Sequence, residues 1–255
     1  MNITELSHKE RSLLFAKLSQ IAYSDEEGAA KAVKELGFKE CEFYNRDGAQ
    51  AYRFATKTDM VIACRGTQPS EFNDIKADLR AIPTLSETVS RVHKGFKCEV
   101  DELWPMILED LDDATTKRIW VCGHSLGGAM ATIIAGRLER DIKNLPSTYV
   151  DGLYTYGSPR VGWRRYVNSM KVPHYRWRNN NDIVTAVPPV LFGYVHHGEL
   201  QYINHMGDVS IGMTYWNRAI DKLKGIWKGM KIFRIDSFAD HSIGEYISHL
   251  EKWQD

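Results

Sequence analysis

The spacing of hydrophobic positions changes several times along the chain. Ser7-His8-Lys9-Glu10 has the spacing of a capping box, and Leu14, Leu18 and Ile21 follow at i, i+4 and i+7. That pattern predicts an amphipathic first helix. Gly28 to Leu36 reads as a short second helix, stopped by Gly37. Cys41–Tyr44 and Gln50–Ala55 then read as strands around Asn45-Arg46-Asp47-Gly48, a hairpin turn with Asp-Gly. Met60–Cys64 and Arg118–Cys122 are continuous apolar runs, as in strands buried on both faces. Tyr149–Tyr156, His174–Arg178 and Glu199–Ile203 are further strand candidates. Helical spacing returns over Val100–Leu111, Gly128–Arg140 and Ile243–Trp253. Strands alternating with helices predict an α/β fold: a largely parallel sheet covered on both faces, with an antiparallel hairpin near the N-terminus. No repeat, low-complexity tract or linker interrupts the pattern, so residues 1–255 are expected to form a single domain.

Composition narrows the function classes. Lys+Arg and Asp+Glu are 33 each, so no global field points to nucleic acid or to an anionic membrane. The longest apolar run, Val184 to Val195, is broken by Pro188-Pro189 and Gly193, so no transmembrane segment is expected. The first apolar cluster, Leu13 to Ala16, is too short for a signal-peptide core. Cys41, Cys64, Cys98 and Cys122 show no CxxC spacing, which leaves a zinc or redox motif unsupported. Cys64 and Cys122 lie inside strand-like runs and read as small buried hydrophobes. Together these features favour a cytoplasmic, reducing compartment, with a secreted form lacking its leader as the alternative.

The chemistry concentrates in Gly123-His124-Ser125-Leu126-Gly127, which fits G-x-S-x-G between a buried strand and a helix. A serine in so sharp a turn points its hydroxyl outward, while side chains at 123 and 127 would clash. The following helix N-terminus favours developing negative charge. A nucleophilic serine needs a base, and the base needs an orienting carboxylate. Asp182 follows the strand ending near Arg178, at the sheet edge where α/β proteins hold ligands, and His241 lies just before the last helix. Asp151, Asp208 and Asp236 compete for the acid role, and His196, His197 and His205 for the base. His124 is read as packing, because beside Ser125 its ring cannot readily face the hydroxyl.

Several runs, in order, resemble the class 3 lipase family of fungal triacylglycerol lipases and their bacterial relatives, with an α/β-hydrolase fold. "AKLSQIAYSD" (16–25) is similar to the family's first helix and its "AY" signature, and "VIACRGT" (61–67) to its strand and Arg-Gly-Ser/Thr turn. "GHSLGGA", "YGSPRVG" (156–162) and "NDIVTAVPP" (181–189) resemble its nucleophile elbow, its "YGxPRVG" run and its acid loop. His196 with Gly198, and His241 with Tyr246, resemble later segments. The resemblance implies the triad Ser125, Asp182 and His241. It implies oxyanion donors at Thr67 and at the backbone N–H of Leu126, with Asp78 orienting the Thr67 hydroxyl. The expected activity is hydrolysis of carboxylic esters, acylglycerols or soluble short-to-medium-chain esters, needing no metal or organic cofactor. Phospholipase or feruloyl-type esterase activity on the same triad, or an inactive lipid-binding module, are the alternatives.

The family's lid follows the Arg-Gly-Thr turn. Here that stretch reads "QPSEFNDIKAD", with Phe72 its one aromatic residue, so weak interfacial activation is expected. Cap or lid elements are expected at 68–80 and 206–235. Within the second, Met213, Trp216, Ile220, Leu223, Trp227 and Met230 recur every three or four residues, and residues 217–234 hold six Lys/Arg and one Asp. A basic amphipathic helix with tryptophans can touch a lipid surface, cap a site, or simply pack on the core.

Overall fold

The computed structural model describes residues 1–66, 82–113, 117–141, 150–211, 221 and 240–254. Eight strands form the main sheet: β1 (Glu40–Arg46), β2 (Ala49–Ala55), β3 (Asp59–Cys64), β6 (Arg118–His124), β7 (Val150–Tyr156), β9 (His174–Asn179), β11 (Glu199–Ile203) and β12 (Val209–Ile211). They lie side by side in that order. The run from β3 to β11 is parallel throughout. β1 and β2 form an antiparallel hairpin at one edge, and β12 pairs antiparallel with β11 at the other. Asp47 (φ 48°) and Gly48 (φ 89°) are both left-handed, as a two-residue hairpin turn between twisted strands requires.

Helices cover both faces. On one side lie α3 (Lys94–Asp113) and α4 (Leu126–Asp141), on the other α1 (His8–Ile21) and α6 (Ile243–Lys252). The two-residue period of β6 sorts its side chains: Ile119 and Val121 join Phe96, Leu103 and Ile134, while Trp120 and Cys122 join Phe15, Leu18 and Leu250. Cys64 and Cys122 are buried, and burial pushes the Cys122 thiol up to about 12. α1 begins with the expected capping box: Ser7 Oγ accepts from Glu10 N at 3.2 Å, and Glu10 Oε2 accepts from Ser7 N at 2.8 Å. α2 (Glu26–Glu35) starts two residues before the expected Gly28, because the Asp25 carboxylate caps it at Gly28 N. α3 begins at Lys94 rather than Val100, six residues earlier; Gly95 and Lys97 mask a first stretch that Phe96 anchors in the core.

A second, antiparallel sheet joins β4 (Pro83–Leu85), β5 (Arg91–His93), β8 (Gly162–Trp163) and β10 (Tyr194–Val195) in the order β10-β8-β5-β4. α5 (Arg164–Val167) follows β8 directly. The apolar run 184–195 forms two one-turn 3-10 helices, Val184–Ala186 and Val190–Phe192, and then β10. Among the described residues no helix is long and apolar enough to cross a membrane.

Candidate active site

Ser125 joins β6 to α4 with φ at 57°, a left-handed conformation that costs a non-glycine residue roughly 1–2 kcal/mol. Packing enforces it. Ser125 N donates to the Tyr156 carbonyl at 2.9 Å, and Gly128 N donates to the Ser125 carbonyl at 3.0 Å. A Cβ on Gly123 would stand 2.3 Å from the Gly127 carbonyl oxygen, and one on Gly127 would stand 2.2 Å from the Cys64 carbonyl oxygen. Both glycines are therefore required by backbone approach, as the motif predicted.

The three parts meet at the carboxyl ends of the strands. Ser125 Oγ lies 2.8 Å from His241 Nε2. His241 Nδ1 lies 3.0 Å from each Asp182 carboxylate oxygen. With Nδ1–H donating to Asp182, Nε2 is left to accept the Ser125 hydroxyl proton. Asp182 is fully buried, so its charge must be answered locally. Besides His241, Val184 N donates to Oδ1 at 3.0 Å and Tyr246 OH to Oδ2 at 2.6 Å. The Tyr246 oxygen accepts in turn from Asn179 N at 2.9 Å. Burial and the Asp182 charge push the Tyr246 phenol well above its ordinary range, so it stays a donor. Gly157 (φ 60°) leaves room for this contact: a Cβ there would lie 2.6 Å from Asp182 Oδ2 and 2.8 Å from His241 Nδ1. The acid and base loops are also stitched together. Asn179 Nδ2 donates to the Asp240 carbonyl at 3.1 Å, and Asn181 N to the Asp240 carboxylate at 3.1 Å.

His124 does more than pack. Its Nε2 lies 2.7 Å from the His241 carbonyl and its Nδ1 2.9 Å from Tyr23 OH. The carbonyl can only accept, so Nε2 carries the proton and Nδ1 accepts from the phenol. Burial, then the neighbouring His241, holds the His124 pKa well below its ordinary value. His124 therefore stays neutral and does not oppose a positive charge on His241, whose ring centroid is 4.6 Å away. Tyr23 OH also lies against Gly66, where a Cβ would come within 2.5 Å of it. Tyr23 thus ties the end of α1 to the elbow, and through His124 to the base loop.

The other expected residues separate cleanly. Leu126 opens α4, so its N–H has no acceptor inside the helix and stands beside Ser125. Thr67, Asp78, Asp236 and the segments 68–80 and 213–220 lie outside the described residues, as does 222–235. Residues 206–211 form a turn and strand β12. Asp221 accepts from Tyr202 OH at 2.8 Å and pairs with His205. Asp151 sits at the start of β7, at the far end of the strand from Tyr156 and the elbow. Asp208 binds Asn204, His196 Nε2 donates to the Thr185 carbonyl at 2.8 Å, and His197 pairs with His174 at 3.0 Å. Three contributors escaped the sequence reading: the Tyr246 phenol, Tyr23, and both ring nitrogens of His124. The sequence signal for the tyrosines was their place in quoted motifs, which says nothing about their partners.

The family model "Lipase (class 3)" matches residues 61–192. A lipase of Rhizomucor miehei is 35% identical over 164 residues, covering 61% of this chain and 44% of that protein. The "Secreted mono- and diacylglycerol lipase 1" of Fusarium solani is 36% identical over 116 residues, covering 41% of this chain and 32% of its own length. The chain thus spans less than half the length of the curated relatives it matches. A solved triacylglycerol lipase, described as having a serine-protease triad as its catalytic centre, superposes with a TM-score of 0.65 at 28% identity, over 78% of this chain and 81% of that one. The mostly parallel sheet, the helices on both faces and this likeness identify the α/β-hydrolase fold. With more than half its length matched by the family model, and the elbow and acid loop inside that match, the chain belongs to the class 3 lipase family.

Proposed function

We propose that the protein is a serine carboxylic-ester hydrolase, with acylglycerols and soluble short-to-medium-chain esters as substrates. The observation that carries this reading is the unbroken hydrogen-bond line from Ser125 through His241 to a buried Asp182. The family relationship supports it, as do relatives named as lipases. In the proposed cycle His241 Nε2 takes the Ser125 proton while Oγ attacks the ester carbonyl. The backbone N–H of Leu126, with Thr67 as second donor, holds the tetrahedral oxyanion. His241 then protonates the leaving alcohol. Water, activated by the same imidazole, releases the acid from Ser125. Asp182 keeps the imidazole in the required tautomer and offsets the imidazolium charge.

Residues 1–255 are read as one hydrolase domain, with cap elements at 68–80 and in the part of 206–235 that follows β12, where 213–230 is read as a lipid contact. A cytoplasmic placement draws no support from the relatives, one of which is named as secreted. The test is active-site labelling. A fluorophosphonate should form one adduct on Ser125, and none after Ser125→Ala or after unfolding. Absence of an adduct in the folded protein would leave a lipid-binding module. A series of p-nitrophenyl esters, assayed below and above their solubility limits, checks the chain length. A sharp rise above that limit would overturn weak interfacial activation.

A further inference from the structure

The stretch after Asp182 has backbone carbonyls that it cannot satisfy itself. Its 3-10 helix, Val184–Ala186, is one turn long. Ala186 N and Val187 N donate back to the Ile183 and Val184 carbonyls, and Phe192 N and Gly193 N donate to those of Pro189 and Val190. The four carbonyls between, at residues 185 to 188, lie past the reach of so short a helix and need donors from elsewhere. His196 Nε2 serves the first, at Thr185. One residue serves the other three. The Arg160 backbone N–H donates to the Val187 carbonyl at 2.7 Å. Its Nη1 donates to the Pro188 carbonyl at 2.8 Å and also to that of Ala186.

Arg160 is half-buried, and no carboxylate pairs with it among the described residues. Burial, then Arg178, lowers its pKa, so its surroundings work against the charge. The loop carbonyls are what the charge meets, and a charged donor makes a stronger hydrogen bond than a neutral one. Three residues before Arg160, Gly157 lies against both Asp182 and His241. The turn that Arg160 grips returns two contacts to Asp182: Val184 N donates to Oδ1 at 3.0 Å, and Thr185 Oγ1 donates to the Asp182 carbonyl at 2.9 Å. Oδ1 is also one of the two oxygens facing His241 Nδ1. A shift of the turn therefore moves the carboxylate relative to the imidazole.

We propose that Arg160 is a positioning residue for ester hydrolysis: it fixes the turn at 184–188 and through it holds the Asp182 carboxylate against His241. The assignment rests on the hydrolase reading of Ser125, His241 and Asp182. Arg160 touches no reacting atom. Its effect reaches the chemistry through Asp182, which sets it apart from an arginine that only stabilises the fold.

The experiment is a mutant cycle on the full chain, using a water-soluble p-nitrophenyl ester with the rate of Ser125→Ala subtracted throughout. Arg160→Met keeps the length of the side chain and removes its donors. It should lower kcat about ten- to a hundredfold, as a small misplacement of a catalytic group does, with KM within about twofold. Arg160→Lys keeps a charged donor without the planar fork and should recover part of that loss. On the Asp182→Asn background, where the carboxylate is already gone, Arg160→Met should change kcat by less than about twofold. A purely structural arginine would cost the same factor on both backgrounds. Near-ultraviolet circular dichroism checks the fold of each variant; if Arg160→Met does not fold, Arg160→Lys on the same two backgrounds carries the test. The proposal is overturned if Arg160→Met matches the parent, if its loss lies all in KM, or if the loss persists in full on Asp182→Asn. A parent without Ser125-dependent hydrolysis would overturn the hydrolase reading and this assignment with it. A working parent indifferent to Arg160 overturns the assignment alone.

Discussion

Two hydroxyl–histidine pairs lie close together on neighbouring strands, Thr155 pairing in register with Gly123 of the elbow. At the carboxyl end, Ser125 Oγ lies 2.8 Å from His241 Nε2, and Nδ1 reaches Asp182. Toward the amino end of β9, Thr155 Oγ1 lies 2.8 Å from His174 Nε2, and Nδ1 lies 3.0 Å from His197 Nδ1. The distances alone do not tell the pairs apart; the surroundings do. Asp182 is a carboxylate and favours a positive imidazole, whereas His174 faces another imidazole with Arg176 close by. Burial first, then these neighbours, holds His174 well below its ordinary pKa. Thr155 is fully buried within extended strand β7, one residue before its end, while Ser125 turns out at the start of a helix, whose first backbone N–H groups have no acceptor inside it. A hydroxyl beside a histidine becomes a nucleophile when the far partner is an anion and the near side offers donors for an oxyanion.

That contrast breaks most sharply at the hydroxyls. Ser125→Ala should lower kcat for a p-nitrophenyl ester by about 10⁵–10⁶-fold, while Thr155→Val leaves hydrolysis unchanged and costs ~1–3 kcal/mol of stability in urea titration. Comparable losses from both would erase the distinction. Asp182→Asn keeps the shape but removes the anion, and should lower kcat roughly 10⁴-fold with KM little moved. Tyr246→Phe removes one donor from the Asp182 carboxylate. A hydrogen bond to a charged group is worth about 1.5–3 kcal/mol, so kcat should fall between about tenfold and a hundredfold. An unchanged kcat would reduce Tyr246 to a packing residue.

The smallest effect concerns acid stability. His124 and His174 are buried with depressed pKa values, so the unfolded chain binds protons that the folded one refuses. Their contribution is fully present above the unfolded value of about 6.5 and is lost as pH falls toward the folded values. Each should cost up to about 1.4 kcal/mol per pH unit below that point. Urea midpoints at neutral and mildly acidic pH should show the loss, and His174→Asn should make the slope shallower.

The parts of the site that were legible in the sequence share a cause. Gly123 and Gly127 are fixed by backbone crowding, which leaves no alternative residue, so local spacing reports them directly. Asp182 and His241 were placed from strand ends and chain order. The Tyr246 and Tyr23 contacts were not legible, because each joins residues 64 and 101 positions apart across the core. For the fold, the long apolar strands were readable, but the second sheet was not. Its strands β8 and β10 are two residues each, too short to show a period. Its partners come from three separate stretches of chain.

The link from His241 to Ser125 spans 116 residues, and this orders events during synthesis. The elbow is translated first, the acid loop later, and the base last of the three. A growing or truncated chain that stops before residue 240 holds Ser125 with no proton acceptor, whatever else has folded. The line from Ser125 through His241 to Asp182 is therefore completed in one step, with the segment around residue 241, instead of being built up along the way.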